Sequence, residues 1–186
     1  MRSAIKICSA LAALAVFCAC FAGCKSTGDK HDKETTAIRL YLEASASDAG
    51  RSKTVLILRE HPTAMQIQDS SFLDERFVEN ASVLDWNGSF LIQIKFDWHG
   101  AIMLGNVTTA NPGKHIAIES SFGEQRWLAA PSIQRRMTDG VITFTPDATR
   151  EEADRIVRGL NNLAKKLTTH KRFHRPPDFS DESAPK

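Results

Sequence analysis

The side chains best suited to chemistry in this 186-residue sequence are Asp97 and His99, which flank Trp98. A carboxylate next to an imidazole can accept and donate protons, as general acid–base catalysis requires. The same residues also suit a junction between a strand and a helix, where Asp97 caps the helix and His99 faces solvent. We favour the structural interpretation and assign no catalytic residue. A hydrolase centred on Asp97 and His99 stays open as an alternative.

The spacing of the histidines and cysteines does not predict a metal or cofactor site. His61, His99 and His115 are scattered, without the short intervals that place two histidines on one metal ion. The sequence contains neither a glycine-rich nucleotide loop nor a Gly-x-Ser-x-Gly motif. All four cysteines lie near the start of the chain, at Cys8, Cys18, Cys20 and Cys24. We therefore expect no metal site, no disulfide and no cofactor in the rest of the chain.

Two features suit binding rather than catalysis. The segment from Asn111 to Lys114 (Asn-Pro-Gly-Lys) would offer backbone amides and an ammonium group to an anion, although it also fits a plain helix stop. Trp98 and Trp127, together with Trp86, are candidates for contact with a partner, although tryptophans of a buried core fit equally well. The candidate binding residues are therefore Trp98, Trp127, Asn111 and Lys114.

The elements that would position these residues follow a leader with three parts. Two basic residues and an uncharged stretch over residues 7–21 precede a small-residue cleavage site, Ala22-Gly23, and then Cys24. This site resembles the lipobox of bacterial lipoproteins, with Phe21 in place of the usual leucine. We therefore predict that residues 1–23 are a signal peptide and that Cys24 carries the lipid.

Two alternatives to this leader stay open. Cys20 is a second possible lipidation site, but it lacks the switch to polar residues that follows Cys24. An uncleaved transmembrane anchor would use the whole uncharged run up to Cys24, which at roughly 18 residues is at the lower limit for crossing a bilayer. In either case the rest of the chain is expected outside the cytoplasm.

The expected partner of the mature chain is the lipid bilayer, which it reaches through the lipid on Cys24. Residues 24–36 form a polar tether between this lipid and the domain. With Lys25 rather than aspartate after the cysteine, the sequence resembles lipoproteins that are sent to the outer membrane, which implies a domain that faces the periplasm; the inner membrane stays open. The leader holds two of the 24 basic residues and no acidic one, so 22 basic residues face 22 acidic ones in the mature chain. This balance gives no reason to expect a nucleic-acid partner.

The hydrophobic pattern of the remaining chain predicts one α+β domain over residues 37–168, with about three helices packed on a mostly antiparallel sheet. Strands are predicted at 37–43, 54–59, 64–68, 90–96, 115–120, 125–129 and 141–145. Helices are predicted at 71–84, at 98–110 and after a capping box formed by Thr149 and Glu152. Residues 169–186 are polar and are predicted to be a disordered tail.

An ordered series of short motifs over residues 65–163 is similar to the head subdomain in the first periplasmic region of SecD, the accessory subunit of the preprotein translocase. The motifs are Phe96-Asp97-x-x-Gly100-Ala101, Thr108-x-x-Asn111-x-Gly113-Lys114-x-Ile116-Ala117-Ile118, Ala130-Pro131-x-Ile133, Gly140 and Thr149-x-Glu151-Glu152-Ala153 with Leu160. The sequence departs from the family pattern at residues 121–125, which replace an Asp-Gly hairpin, and at residues 145–147. It also shows no hydrophobic span after the leader.

The resemblance implies the fold of the SecD head and a role in contacting an extended or exported polypeptide. It does not carry over translocase activity, which in SecD depends on transmembrane helices. Our leading hypothesis is a non-enzymatic, lipid-anchored envelope protein that binds another polypeptide at an exposed strand edge, in connection with protein export or envelope assembly. A purely structural envelope lipoprotein is the second hypothesis, and the hydrolase is the third.

Overall fold

A computed structural model describes residues 34–48, 50–59 and 61–173 of the chain. The predicted signal peptide, the lipidation at Cys24, most of the tether and the end of the tail lie outside these residues. Within them, nine strands and two α-helices form an α+β arrangement in which every strand pairing is antiparallel. The predicted fold class is therefore confirmed.

The strands are β1 (Ala37–Leu42), β2 (Ser52–Ile57), β3 (Thr63–Gln68), β4 (Leu73–Asp74), β5 (Val78–Trp86), β6 (Ser89–Phe96), β7 (Ile116–Phe122), β8 (Glu124–Ala129) and β9 (Val141–Phe144). The helices are α1 (Trp98–Ala110) and α2 (Arg150–Phe173). The strands form three sheets, with the orders β4-β1-β7-β8, β2-β3 and β5-β6-β9.

The helix predicted at residues 71–84 is wrong, because this segment forms β4, a single 3-10 turn (Glu75–Phe77) and β5. Asp74 caps only the 3-10 turn, where its carboxylate accepts a hydrogen bond from the Arg76 backbone N–H at 3.0 Å. The turn does not continue, because residues 78–86 pair with β6 along its whole length. Asn87 and Gly88 close this hairpin with φ values of 46° and 76°, as a two-residue type I′ turn requires.

The main core lies between one face of the four-stranded sheet, the inner face of the three-stranded sheet and α2. The predicted alternation of β1 is confirmed on this side, where Ile38, Leu40 and Leu42 are buried. The apolar stripe of α2 is also buried, and its capping box forms as predicted. Thr149 N–H donates to Glu152 Oε2 at 2.9 Å, and Glu152 N–H donates to Thr149 Oγ1 at 3.2 Å. The helix continues to Phe173, beyond the predicted end at residue 168.

A second, smaller core lies on the opposite face of the four-stranded sheet, where the β2–β3 hairpin covers it. Tyr41, Ile57, Ile67 and Ala117 form its buried centre. Tyr41 alternates along β1 with Leu40 and Leu42 and therefore faces away from the main core, but the hairpin buries this face as well. The four-stranded sheet is therefore packed on both faces.

Candidate functional site

Asp97 is the N-cap of α1, as the structural interpretation predicted. Its carboxylate accepts a hydrogen bond from the Gly100 backbone N–H at 2.9 Å, and its backbone conformation is extended. His99 is exposed, and its ring meets the Trp98 ring edge-on with the centroids 4.9 Å apart. Neither Asp97 nor His99 lines any of the clefts that we describe below. The geometry of Asp97 therefore serves the helix start.

The four candidate binding residues do not form one site. Trp98 is 71% exposed at the start of α1, with Ile102 one helical turn further on and 43% exposed. Asn111 ends the same helix, where its side-chain amide donates to Val107 O at 2.9 Å. A helix of 13 residues separates these two positions by about 20 Å.

The other two candidates make internal contacts. The Lys114 ammonium group donates to the Ser45 hydroxyl, which ties the start of β7 to the loop after β1. Trp127 is half-buried in the second core and meets the Tyr41 ring edge-on, with the centroids 5.3 Å apart. Lys53 lies over both rings, with Nζ 4.5 Å from the Tyr41 centroid and 5.9 Å from that of Trp127. Both residues are thus engaged within the fold.

Among the described residues, an unpaired backbone segment lies instead on β9, an edge strand of the three-stranded sheet. Phe96 N–H donates to Gly140 O at 2.9 Å, and this bond fixes which residues of β9 face β6. Because hydrogen-bonded and non-bonded pairs alternate between antiparallel strands, Ile142 and Phe144 bond to β6. The N–H and C=O of Thr143 therefore point away from the sheet, and no partner for them is found among the described residues. Thr143 is exposed to solvent.

The opposite edge of the same sheet is treated differently. On β5, the backbone N–H and C=O of Ala81 point away from β6. Both groups form hydrogen bonds with the Asn161 side chain of α2. Ala81 N–H donates to Asn161 Oδ1 at 2.8 Å, and Asn161 Nδ2 donates to Ala81 O at 2.9 Å. A side-chain amide thus takes the place of a neighbouring strand at Ala81, whereas no described residue covers β9 in this way at Thr143.

Two clefts are each lined in part by residues of β9 or directly after it, and we call them together the β9 trough. The first has a volume of about 450 Å³ and includes Phe144 and Thr145. The second has a volume of about 670 Å³ and includes Val141 and Thr143. Pro131 lines both clefts. Each cleft is by itself within the size range of binding sites for small molecules.

The walls of the two clefts differ in chemistry. The first is lined mainly by apolar side chains, namely Ile57, Leu58, Met65, Ala129, Ala130 and Phe144, with His115 among the lining residues. The second is lined mainly by polar and charged side chains, namely Gln93, Ser132, Gln134, Arg135, Asp139 and Thr143. The trough therefore offers an apolar and a polar compartment side by side.

His115 is held by Glu43 where the first cleft approaches β7. The His115 ring Nδ1 lies 2.7 Å from Glu43 Oε2, and the His115 backbone N–H donates to the same oxygen at 2.9 Å. Burial raises the pKa of Glu43, but the hydrogen bonds from the His115 ring and backbone outweigh that effect, so the pKa is lowered overall. Glu43 is therefore a carboxylate at neutral pH and fixes the position of the imidazole.

Gly140 sets the direction in which β9 leaves the preceding loop. Its φ of +69° is strained for any other residue, and a methyl group there would lie 2.6 Å from Ala101 Cβ of α1. Ile142 and Phe144 then anchor the strand in the main core. The position of the open edge is thus determined by the contact between Gly140 and α1.

Comparisons with known proteins identify the fold. No family model and no curated protein matches this chain. A solved structure of SecDF, described as a membrane component that enhances protein export, matches with a TM-score of 0.52 and 20% identity, over 74% of this chain and 69% of that one. A structure of SecDF in a super-membrane-facing form matches with a TM-score of 0.52 and 19% identity, over 74% of this chain and 21% of that one.

These matches define the class of the domain. It is an α+β domain with the fold found in part of SecDF, so the predicted resemblance to the SecD head is confirmed at the level of the fold. The chain spans about a fifth of the longer SecDF chain. Among the described residues, no helix is both long and apolar enough to span a membrane.

Proposed function

We propose that this protein is a non-catalytic, lipid-anchored envelope protein whose domain binds an extended polypeptide along the β9 edge, in the service of protein export or envelope assembly. The observation that supports the proposal is the backbone of Thr143, a lining residue of the β9 trough, for which the described residues supply no hydrogen-bond partner. Natural proteins usually protect such an edge, because it is a template for another strand. An exposed edge with clefts beside it suits a peptide that adds to the sheet.

In this mode of binding the backbone of the ligand supplies most of the affinity. The N–H and C=O of Thr143 would each pair with an extended segment, and side chains of that segment would enter the clefts on either side of Pro131. The backbone contacts do not depend on the sequence of the ligand, whereas the clefts can select among its side chains. Asn161 covers the opposite edge at Ala81, which would restrict strand addition at that position of the sheet.

The link to protein export rests on the shared fold, since SecDF is described as enhancing protein export. In this chain the module would be held at the membrane by lipid on Cys24, and Lys25 favours the outer membrane. A Cys24→Ala variant is expected to lose both incorporation of a labelled fatty acid and recovery in the membrane fraction. Retention of both would contradict the anchor.

The experiment on the binding site uses the Thr143→Pro variant of the full chain in detergent, with Thr143→Val as the matched control. Proline removes the outward N–H without taking a hydrogen bond from the ladder with β6, whereas valine keeps the N–H. Affinity for an unfolded model polypeptide is measured by titration. Loss of one net hydrogen bond of 0.5–1.5 kcal/mol predicts binding weaker by roughly 2- to 12-fold for the proline variant alone.

Three results would contradict the proposal. Equal affinity of the proline variant and the wild type would exclude β9 as the binding edge. Equal loss in the proline and valine variants would show that the side chain matters and not the backbone. No binding of unfolded polypeptide by the wild type would contradict the binding function and leave a purely structural role.

A further inference from the structure

We infer that the β9 trough prefers extended segments that carry a large apolar side chain and an acidic side chain about three residues apart. This inference rests on the proposed binding function and specifies the chemistry of its ligand. It follows from three properties of the trough: the different linings of its two clefts, the charge in the second cleft and the distance between them along β9.

The apolar side chain is assigned to the first cleft. Ile57, Met65 and Phe144 line it together with Ala129, so most of the surface that an entering side chain would touch is apolar, and a polar side chain would exchange water for few hydrogen-bond partners. A leucine or phenylalanine would instead transfer apolar area from water into the cleft.

The acidic side chain is assigned to the second cleft because of the charges that line it. Asp139 also lines this cleft and keeps its negative charge, but its carboxylate is held by the Val141 backbone N–H, from which it accepts a hydrogen bond at 3.2 Å. Arg135 lines the same cleft and is exposed, and among the described residues no carboxylate forms an ion pair with it. A ligand carboxylate would therefore meet an available guanidinium group, and charge complementarity of this kind favours an acidic partner.

The distance between the two side chains follows from the strand. Val141 and Thr143 line the second cleft, whereas Phe144 and Thr145 line the first, so the residues through which the strand borders the two clefts are offset by two to three positions. At about 3.4 Å per residue, an added strand covers this offset with about three of its own residues. Either strand direction meets this requirement.

The test compares short peptides of one β-forming host sequence bound to the full-length protein. The peptides carry Glu-x-x-Leu or Leu-x-x-Glu, with Glu→Lys and Leu→Ser versions of each. We expect the better of the two orders to bind best. Its Leu→Ser version should bind about tenfold more weakly or worse, and its Glu→Lys version about two- to fivefold more weakly.

Protein variants then assign the charge preference to Arg135. The Arg135→Glu variant is expected to reverse the preference, so that the lysine peptide binds better than the glutamate peptide. Arg136→Glu is the matched control, because Arg136 is also exposed but does not line the cleft, and it should retain the preference for glutamate. A high-salt titration should reduce the difference between the charged peptides.

The outcomes separate this inference from the proposed function. If Thr143→Pro weakens all peptides but glutamate and lysine versions bind alike, the selectivity is refuted and edge binding stands. If Arg135→Glu and Arg136→Glu have the same effect, the second cleft does not carry the preference. If no peptide binds to the wild type, both the inference and the binding function fail.

Discussion

Replacing Gly140 by alanine is expected to lower the free energy of unfolding by more than the same change at a glycine that has a similar φ but no neighbouring atoms. In the Gly140→Ala variant the φ of +69° costs about 1–2 kcal/mol for a residue with a Cβ atom. The new Cβ would also lie 2.6 Å from Ala101 Cβ and 3.2 Å from Ala101 Cα. Forced repacking of this kind costs about 1–3 kcal/mol. The sum is a loss of about 2–5 kcal/mol in the free energy of unfolding.

Gly123 provides the matched control, because its φ is +70° and nothing lies within 4 Å of a Cβ placed there. Gly123→Ala should therefore show the backbone cost alone, about 1–2 kcal/mol. The assay is urea denaturation of each variant followed by far-UV circular dichroism. Ala101→Gly in the Gly140→Ala background should recover part of the loss, since it removes the nearest atom. Equal destabilisation by the two glycine substitutions would refute the steric reasoning.

Three further predictions concern single side chains. Asn161→Ala should lower the free energy of unfolding by about 1–3 kcal/mol, measured by denaturation, because both backbone groups of Ala81 lose their partner. The Thr149 backbone N–H lowers the pKa of Glu152 to about 2 from 4.5, so stability should fall as the pH drops from 4.5 towards 2. Glu152→Gln should flatten that part of the pH profile, and an unchanged profile would contradict the assignment. Asp97→Ala should cost about 0.5–2 kcal/mol of stability through the lost cap and leave polypeptide binding intact.

Sequence signals were most reliable for features whose interacting residues are close together in the chain. The capping box of Thr149 and Glu152 forms as predicted, and α1 spans residues 98–110 as predicted. Asp97 also caps α1, because a carboxylate directly before a helix can accept a hydrogen bond from a backbone N–H of the first turn. These features involve residues three or four positions apart, so the sequence contains all the interacting groups.

Features that depend on distant partners were not predictable in the same way. Residues 78–86 have helical spacing, but pairing with β6 selects a strand. Tyr41 alternates as a polar-side residue, yet the β2–β3 hairpin buries it and places it against Trp127. A single sequence does not reveal which strands are neighbours, and so it cannot show that such a side chain has a second core to enter.

The candidate site belongs to this second group. The strand over residues 141–145 was predicted, and strand edges were expected to bind polypeptide, but the sequence did not show which edge is open. The answer depends on Asn161 reaching Ala81 on β5 and on the absence of an equivalent contact at Thr143 among the described residues. The tryptophans were predicted as contact residues because they are large and aromatic, but Trp127 packs against the second core.

The most direct test of the account is amide hydrogen exchange at Thr143 with and without a saturating unfolded polypeptide. In the free protein this N–H points out of the sheet and should exchange quickly, whereas the N–H of Ile142, in the ladder with β6, should exchange slowly. The account predicts that polypeptide slows exchange at Thr143 and leaves Ile142 unchanged. Fast exchange at Thr143 in the presence of bound polypeptide would contradict strand addition at β9.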